Sequence, residues 1–175
     1  LIKDGGNRPV FVLDTTSCSS LAPSWNEAQA FTARDATGCP FSPYTGFTEC
    51  GISPTFYKMC PGTQYWRDRL AELILSLARE GVDMVQLDGY PVVGPQLCTV
   101  PEHGHPIGGG RWWHAAYRDT FSQLKSEART LNPDFCYTTE GMSEDLIPLV
   151  DSFCDPFSTT GWTPNSCVSM LQDTS

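Results

Sequence analysis

The stretch "MVQLDGYPVV", Met84 to Val93, decides the fold class. Apolar residues lead to a single carboxylate, Asp88, and Gly89-Tyr90-Pro91 then bends the chain. A short apolar run closed by turn residues reads as a strand buried on both faces, the kind found in parallel sheets. An acid at the end of such a strand lies where α/β proteins open to solvent and keep their chemistry.

Working outward, the neighbouring segments repeat one order. "TQYWRDRLAELILSLAREG" (63–81) predicts a helix capped by Thr63, with Trp66, Leu70, Leu73, Ile74 and Leu77 on one face and Gly81 in the C′ position. "RWWHAAYRDTFSQLKSEARTLNP" (111–133) predicts a second helix through Trp113, Tyr117, Leu124, Ala128 and Leu131 that stops before Pro133. "DFCYTTE" (134–140) reads as a strand ending on Glu140. A short helix capped by Ser143, "EDLIPLV", and a strand, "DSFCD", ending on Asp155 follow. Near the N-terminus "PVFVLDTT" (9–16) is a further strand, carrying Asp14.

Strands alternating with helices imply right-handed βαβ units and a parallel sheet. An open doubly wound sheet would bind phosphate through a Gly-rich turn, but Gly108–Gly110 fits neither the G-x-G-x-x-G nor the P-loop pattern. Acids at several strand ends fit a (β/α)8 (TIM) barrel better. A whole barrel takes about 250 residues, and this chain has 175. Residues 1–175 are therefore expected to form about half of a single barrel. The rest would come from elsewhere in a longer chain or from another chain. Residues 17–62, rich in Cys, Pro and Gly, read as a long loop region with a short helix within 26–36.

Composition narrows the partners. The net charge is −9 with only 11 Lys and Arg, which argues against nucleic acid. No apolar run approaches the roughly 18–20 residues of a membrane span, and the first residues show no signal-peptide pattern. The eight cysteines include no CxxC pair. An even count in loop-rich sequence suggests disulfides and an extracellular or secretory setting. Cys18, Cys39, Cys50, Cys60, Cys98 and Cys167 are the better candidates, and Cys136 and Cys154 read as core residues of strands.

Four strand ends carry acids: Asp14, Asp88, Glu140 and Asp155. Asp88 and Glu140 end consecutive strands, so their carboxyls should approach to roughly 5–6 Å, near the separation used by retaining glycosidases. One carboxylate must stay ionised to attack the anomeric carbon, and the other must hold a proton for the leaving oxygen. Asp88 is assigned as nucleophile and Glu140 as acid/base. A lone strand-end acid is more often a helix cap or a loop anchor; the pair on consecutive strands is what favours chemistry. Asp83, at the start of its strand, reads as structural.

The loop "CTVPEHGHPIGGGRWWH" (98–114) brings His103, His105, Arg111 and Trp112 after Asp88. Indoles stack on sugar rings and imidazoles hydrogen-bond hydroxyls. These four, with Tyr90, Asp14 and Asp155, are the candidate carbohydrate-binding residues. Trp113 falls at a helix-core spacing and reads as packing, as do the scattered aromatics Trp25, Tyr44, Phe47, Tyr57 and Trp162. His103-Gly104-His105 also has metal-ligand spacing, but it lies in a loop rather than on a strand, so no metal is expected. Two carboxylates suffice for glycoside hydrolysis, and no cofactor is expected.

Three motifs together, "MCPGTQYWRDRLAELILSLAREGVDMVQLDGY" (59–90), "HGHPIGGGRWWH" (103–114) and "NPDFCYTTEG" (132–141), resemble a family of glycosidase-like (β/α)8-barrel domains. That family is distantly similar to endo-α-N-acetylgalactosaminidases and, in catalytic plan, to the α-amylase clan. The resemblance covers about Phe56 to Asp155. It implies that Asp88 ends the fourth barrel strand as nucleophile and Glu140 the fifth as acid/base. Asp14 would then end the third strand, and His103, His105 and Trp112 would lie at the substrate. The function expected is a retaining glycoside hydrolase acting on an α-linked glycan. The alternatives are a non-catalytic carbohydrate-binding or structural extracellular glycoprotein on an incomplete barrel, and a metal-dependent hydrolase using His103 and His105.

Overall fold

The strand that ends on Asp88 spans Met84–Asp88 and sits inside a parallel array. The computed structural model describes residues 6, 8–42, 44–45, 54–90, 95–141, 144–154 and 167–169. In chain order the elements are β1 (Val10–Asp14), β2 (Ser17–Ser19), α1 (Trp25–Ala28), β3 (Tyr44–Thr45), β4 (Thr55–Lys58), α2 (Gln64–Arg79), β5 (Met84–Asp88), α3 (Arg111–Leu131), β6 (Cys136–Glu140), β7 (Ser152–Cys154) and β8 (Cys167–Ser169). The chain packs into two units. The first comprises residues 1–15, 71–94 and 118–175, the second residues 16–70 and 95–117.

The first unit holds a five-stranded sheet in the order β1-β5-β6-β7-β8. The pairs β1–β5, β5–β6 and β6–β7 are parallel, as the alternation predicts. The pair β7–β8 is antiparallel; the sequence reading placed no strand at Cys167–Ser169.

The register divides the strands into two faces. Val85, Leu87, Tyr137, Thr139 and Phe153 are buried on one. Met84, Gln86 and Asp88 on the other are only half-buried, so β5 is fully covered on one face rather than both. α3 contributes Phe121, Leu124 and Ala128 to the buried layer, and Phe121 meets Tyr137 edge-on with ring centroids 6.0 Å apart. Asp83 does what its place at the start of the strand suggests. It accepts a bond from Asn132 Nδ2 at 3.0 Å, and its carbonyl receives the Cys136 N–H at 2.8 Å.

Both long helices start and stop where their sequences say. The Trp66 N–H reaches the Thr63 hydroxyl at 3.4 Å, and Gly81 takes φ 80° just past the end of α2. The buried stripe of α2 is Trp66, Leu70, Ile74 and Ala78, and Leu73, expected on that stripe, is exposed. Spacings of four keep one line along the helix, and Leu73 lies one residue off it. On α3, Trp113, Tyr117, Leu124 and Ala128 are buried as expected, but Leu131, at the C-terminal end, is exposed. The segment after Glu140 makes only a single 3-10 turn, Glu144–Leu146, in place of the expected short helix; Ser143 lies outside the described residues. Pro148 stands where an α-helix would need an N–H.

The second unit corrects the reading of 17–62 as loop. β2, β4 and β3 form a three-stranded antiparallel sheet, and α1 with a following 3-10 turn (Gln29–Phe31) supplies the short helix. These strands are two to four residues long and mostly polar, too short for periodicity to show. Trp25 stacks on Tyr57 with centroids 4.8 Å apart, and Trp113 meets Tyr117 edge-on, so these aromatics pack as expected. Phe47 and Trp162 lie outside the described residues.

The expected disulfides are absent among the described residues. Cys18, Cys39, Cys60, Cys98, Cys136 and Cys154 are all free thiols, and Cys50 lies outside. Cys18 is buried in β2, Cys39 is exposed in a turn, and Cys60 and Cys98 are buried. No helix of the described residues is long and apolar enough to cross a membrane.

Candidate active site

The strand ends of the first unit bring the acids into one row. Asp14 pairs in register with Asp88 across β1 and β5. Leu87 pairs with Thr139, which sets Asp88 level with Glu140 on β6, and Glu140 pairs with Cys154 on β7. Residues at one level of parallel strands point to the same side of the sheet. Asp14, Asp88 and Glu140 are all half-buried there. Asp155 follows Cys154 and lies outside the described residues.

Asp88 is fixed by the bend after it. Gly89 adopts φ 77°, which favours glycine, and its N–H donates to Asp88 Oδ1 at 2.7 Å. The Asp88 carbonyl receives both the N–H and the hydroxyl of Thr15, at 3.1 and 2.9 Å. The strand end therefore stays paired up to the acid.

Glu140 shares a hydrogen bond with Asp88. Gln86, two residues before Asp88, donates Nε2–H to Glu140 Oε1 at 3.2 Å. Burial, then the hydrogen bond and negative charge of Asp88, push the Glu140 carboxyl up to about 7, and the Gln86 bond partly opposes the rise. A carboxyl that holds its proton near neutrality beside a second carboxyl is the division of labour an acid/base pair requires.

The other expected substrate residues are placed differently. Tyr90 is 2% exposed, with its ring tilted against Phe121 at 5.9 Å. It packs in the core of the first unit rather than offering a sugar-stacking face. His103, His105, Arg111 and Trp112 belong to the second unit. Arg111 is exposed at the start of α3. Trp112 stacks on His105 with centroids 3.8 Å apart and planes 6° from parallel, so that imidazole covers one face of the indole.

His103 is buried, and both ring nitrogens are engaged: Nδ1 with Cys98 Sγ at 3.3 Å and Nε2 with the Ala30 carbonyl at 3.1 Å. Cys60 joins this group. One ligand atom from each of Cys60, Cys98, His103 and His105 falls within 4.8 Å of the others. The Cys60 thiol donates to Cys98 sulfur, which lowers the Cys98 pKa and raises that of Cys60. Sequence reasoning missed this constellation. It set His103 and His105 aside as metal ligands because they lie in a loop, and nothing in their spacing calls up Cys60 (98 − 60 = 38 residues before Cys98).

The solved structures that resemble this chain share its fold. They include the α-galactosidase of Thermus thermophilus in complex with p-nitrophenyl α-D-galactopyranoside (TM-score 0.60, 19% identity) and an α-amylase from Lactobacillus plantarum (TM-score 0.60, 13% identity). The α-N-acetylgalactosaminidase NagBb of Bifidobacterium bifidum is a third (TM-score 0.62, 16% identity). They match 87%, 88% and 87% of this chain, which spans 27%, 33% and 22% of theirs. The parallel sheet is thus part of a TIM barrel. A Bacteroides thetaiotaomicron protein described as "Putative glycoside hydrolase" is 29% identical over 134 residues, which is 74% of this chain and 19% of that protein. Residues 2–160 match the family described as "Domain of unknown function (DUF6259)", and the chain belongs to that family.

Proposed function

We propose that this chain is the part of a glycoside hydrolase that carries its catalytic pair. Asp88 acts as nucleophile and Glu140 as acid/base in retaining hydrolysis of an α-linked glycan. The observation that carries the reading is the Asp88–Glu140 pair itself: level ends of neighbouring parallel strands, one hydrogen bond between them, and a Glu140 carboxyl raised to about 7. Close carboxyls favour direct attack by Asp88, because an inverting pair stands roughly 6.5–9.5 Å apart to admit a water. The relative from Bacteroides thetaiotaomicron and the glycosidase neighbours support the reaction class. In this reading Asp14, in register beside Asp88, accepts a hydrogen bond from a sugar hydroxyl.

The mechanism follows from the protonation states. Asp88 attacks the anomeric carbon while Glu140 gives its proton to the departing oxygen, so the glycosidic bond breaks as the glycosyl–Asp88 bond forms. Glu140, now ionised, then removes a proton from water, and the water's oxygen displaces Asp88.

The test uses the full-length protein on a panel of aryl α-glycosides, with the product anomer followed by NMR. Turnover with retention, abolished in Asp88→Asn and reduced about 10²–10⁴-fold in Glu140→Gln, is expected. No turnover across the panel with glycan binding retained would leave the chain as a carbohydrate-binding barrel and sink the enzyme reading.

A further inference from the structure

The geometry points to a structural zinc site formed by Cys60, Cys98, His103 and His105, independent of the carboxylate pair. The four ligand atoms lie within 4.8 Å of one another, close enough for one metal ion to gather them. Zinc bonded to two sulfurs at about 2.3 Å and two nitrogens at about 2.0–2.1 Å in a tetrahedron separates its ligand atoms by roughly 3.3–3.8 Å. The Cys98 Sγ–His103 Nδ1 distance, 3.3 Å, already has that value.

The second contacts of each ligand make the case. His103 gives its Nε2–H to the Ala30 carbonyl at 3.1 Å, which leaves Nδ1 with its lone pair toward Cys98. His105 gives its Nδ1–H to the Pro106 carbonyl at 2.9 Å. Its Nε2 is buried and has no hydrogen-bond partner. In metal sites the non-ligating ring nitrogen bonds a carbonyl in this way, which fixes the tautomer and aims the other nitrogen. An orphaned buried nitrogen otherwise costs about 1–3 kcal/mol.

The His105 ring is held between Trp112, stacked at 3.8 Å, and Gly62, where a Cβ would lie 2.5 Å from His105 Cδ2.

Two thiolates and two imidazoles in tetrahedral reach select zinc over magnesium or calcium, which take oxygen ligands. Four protein ligands leave no open position, so the ion is structural. Cys60 and Cys98 are both 0% exposed, which fits a closed site. Binding forms two Zn–S and two Zn–N bonds and releases the thiol protons to solvent; nothing is oxidised. Its work is to tie the turn after β4 to the loop that carries His103 and His105, within the second unit. That reading moves both histidines from sugar contacts to metal ligands.

The test is the metal content of the full-length protein, purified under reducing conditions without added metal. One zinc per chain is expected, lost in Cys60→Ser, Cys98→Ser and His105→Ala. Because those variants can fail to fold, the wild-type protein is also exchanged with Co²⁺. An intense tetrahedral cobalt spectrum with thiolate-to-cobalt charge transfer is expected. Zinc below one-tenth per chain, a spectrum without thiolate bands, or a Cys60–Cys98 disulfide found by mass spectrometry after non-reducing digestion would each overturn it.

Discussion

Gln86 reaches across from β5 to hold Glu140 on β6, its Nε2–H donating to Oε1 at 3.2 Å, two residues below the acid that Glu140 faces. This contact works against the burial and the Asp88 hydrogen bond and charge that raise Glu140. An N–H donor favours the charged carboxylate, so its removal favours the protonated form. Gln86→Leu should therefore move the Glu140 pKa above its value of about 7. Read in the full-length protein as the alkaline limb of kcat/KM against pH, the limb shifts upward. A downward shift would mean that Gln86 does not bond the ionised form.

Asp88→Asn has the opposite effect on its neighbour. It removes a negative charge and an acceptor that stabilises the protonated Glu140, while burial, the largest influence, stays. The Glu140 pKa should fall from about 7 but remain above 4.5. Carboxyl NMR titration measures it directly. A stability consequence follows by linkage. A carboxyl whose folded pKa is raised contributes stability that is fully present below about 4.5 and is lost as pH rises through about 7. Wild type should thus lose stability across that window, and Asp88→Asn should lose less of it.

Asp151 is the main electrostatic tie described in the first unit. It accepts Lys125 Nζ at 2.8 Å, Arg129 at 3.0 Å and the Tyr137 N–H at 2.8 Å, with its side chain only 15% exposed. Asp151→Ala leaves the largely buried Lys125 ammonium with only the Leu149 carbonyl and should cost about 2–4 kcal/mol. Asp119→Ala, which removes the exposed Arg118–Asp119 pair, should change stability by less than about 1 kcal/mol. Thermal unfolding of both variants gives the contrast.

Gly62→Ala separates packing from backbone strain at the cysteine–histidine cluster. Gly62 is not in the left-handed region, so alanine pays no conformational penalty there. Its methyl would lie 2.5 Å from His105 Cδ2 and must displace the ring. Zinc affinity should fall at least about tenfold, while Gly38→Ala, where no atom lies within 4 Å but φ is 83°, should leave zinc affinity unchanged. Competition with a chromophoric chelator reads both.

The carboxylate pair was legible because its signal is local. A run such as "MVQLD", short and closed by Gly89 and Pro91, reads as a covered strand, and two of them joined by a helix fix which ends are neighbours. Tyr90 stands beside Asp88 in sequence, but the bend at Gly89 turns its ring toward Phe121. The small sheet of β2, β4 and β3 left no trace, because Tyr44–Thr45 and Ser17–Ser19 are shorter than any period. The even cysteine count suggested disulfides, with Cys60 and Cys98 among six candidates and no pairing assigned. Their true neighbours, His103 and His105, are set by how the loop closes between Cys98 and Gly108, which bridge each other through bonds of 3.1 and 2.9 Å.

Val10, Phe11 and Val12 of β1 are 49%, 46% and 61% exposed, and β1 pairs with β5 alone among the described residues. An exposed apolar strand at the edge of a sheet is a template for a second strand. Handled as a separate polypeptide, the segment should recruit another copy along β1 and grow into ribbons at high concentration. A lysine at Val12, in mid-strand, should keep such a preparation monodisperse.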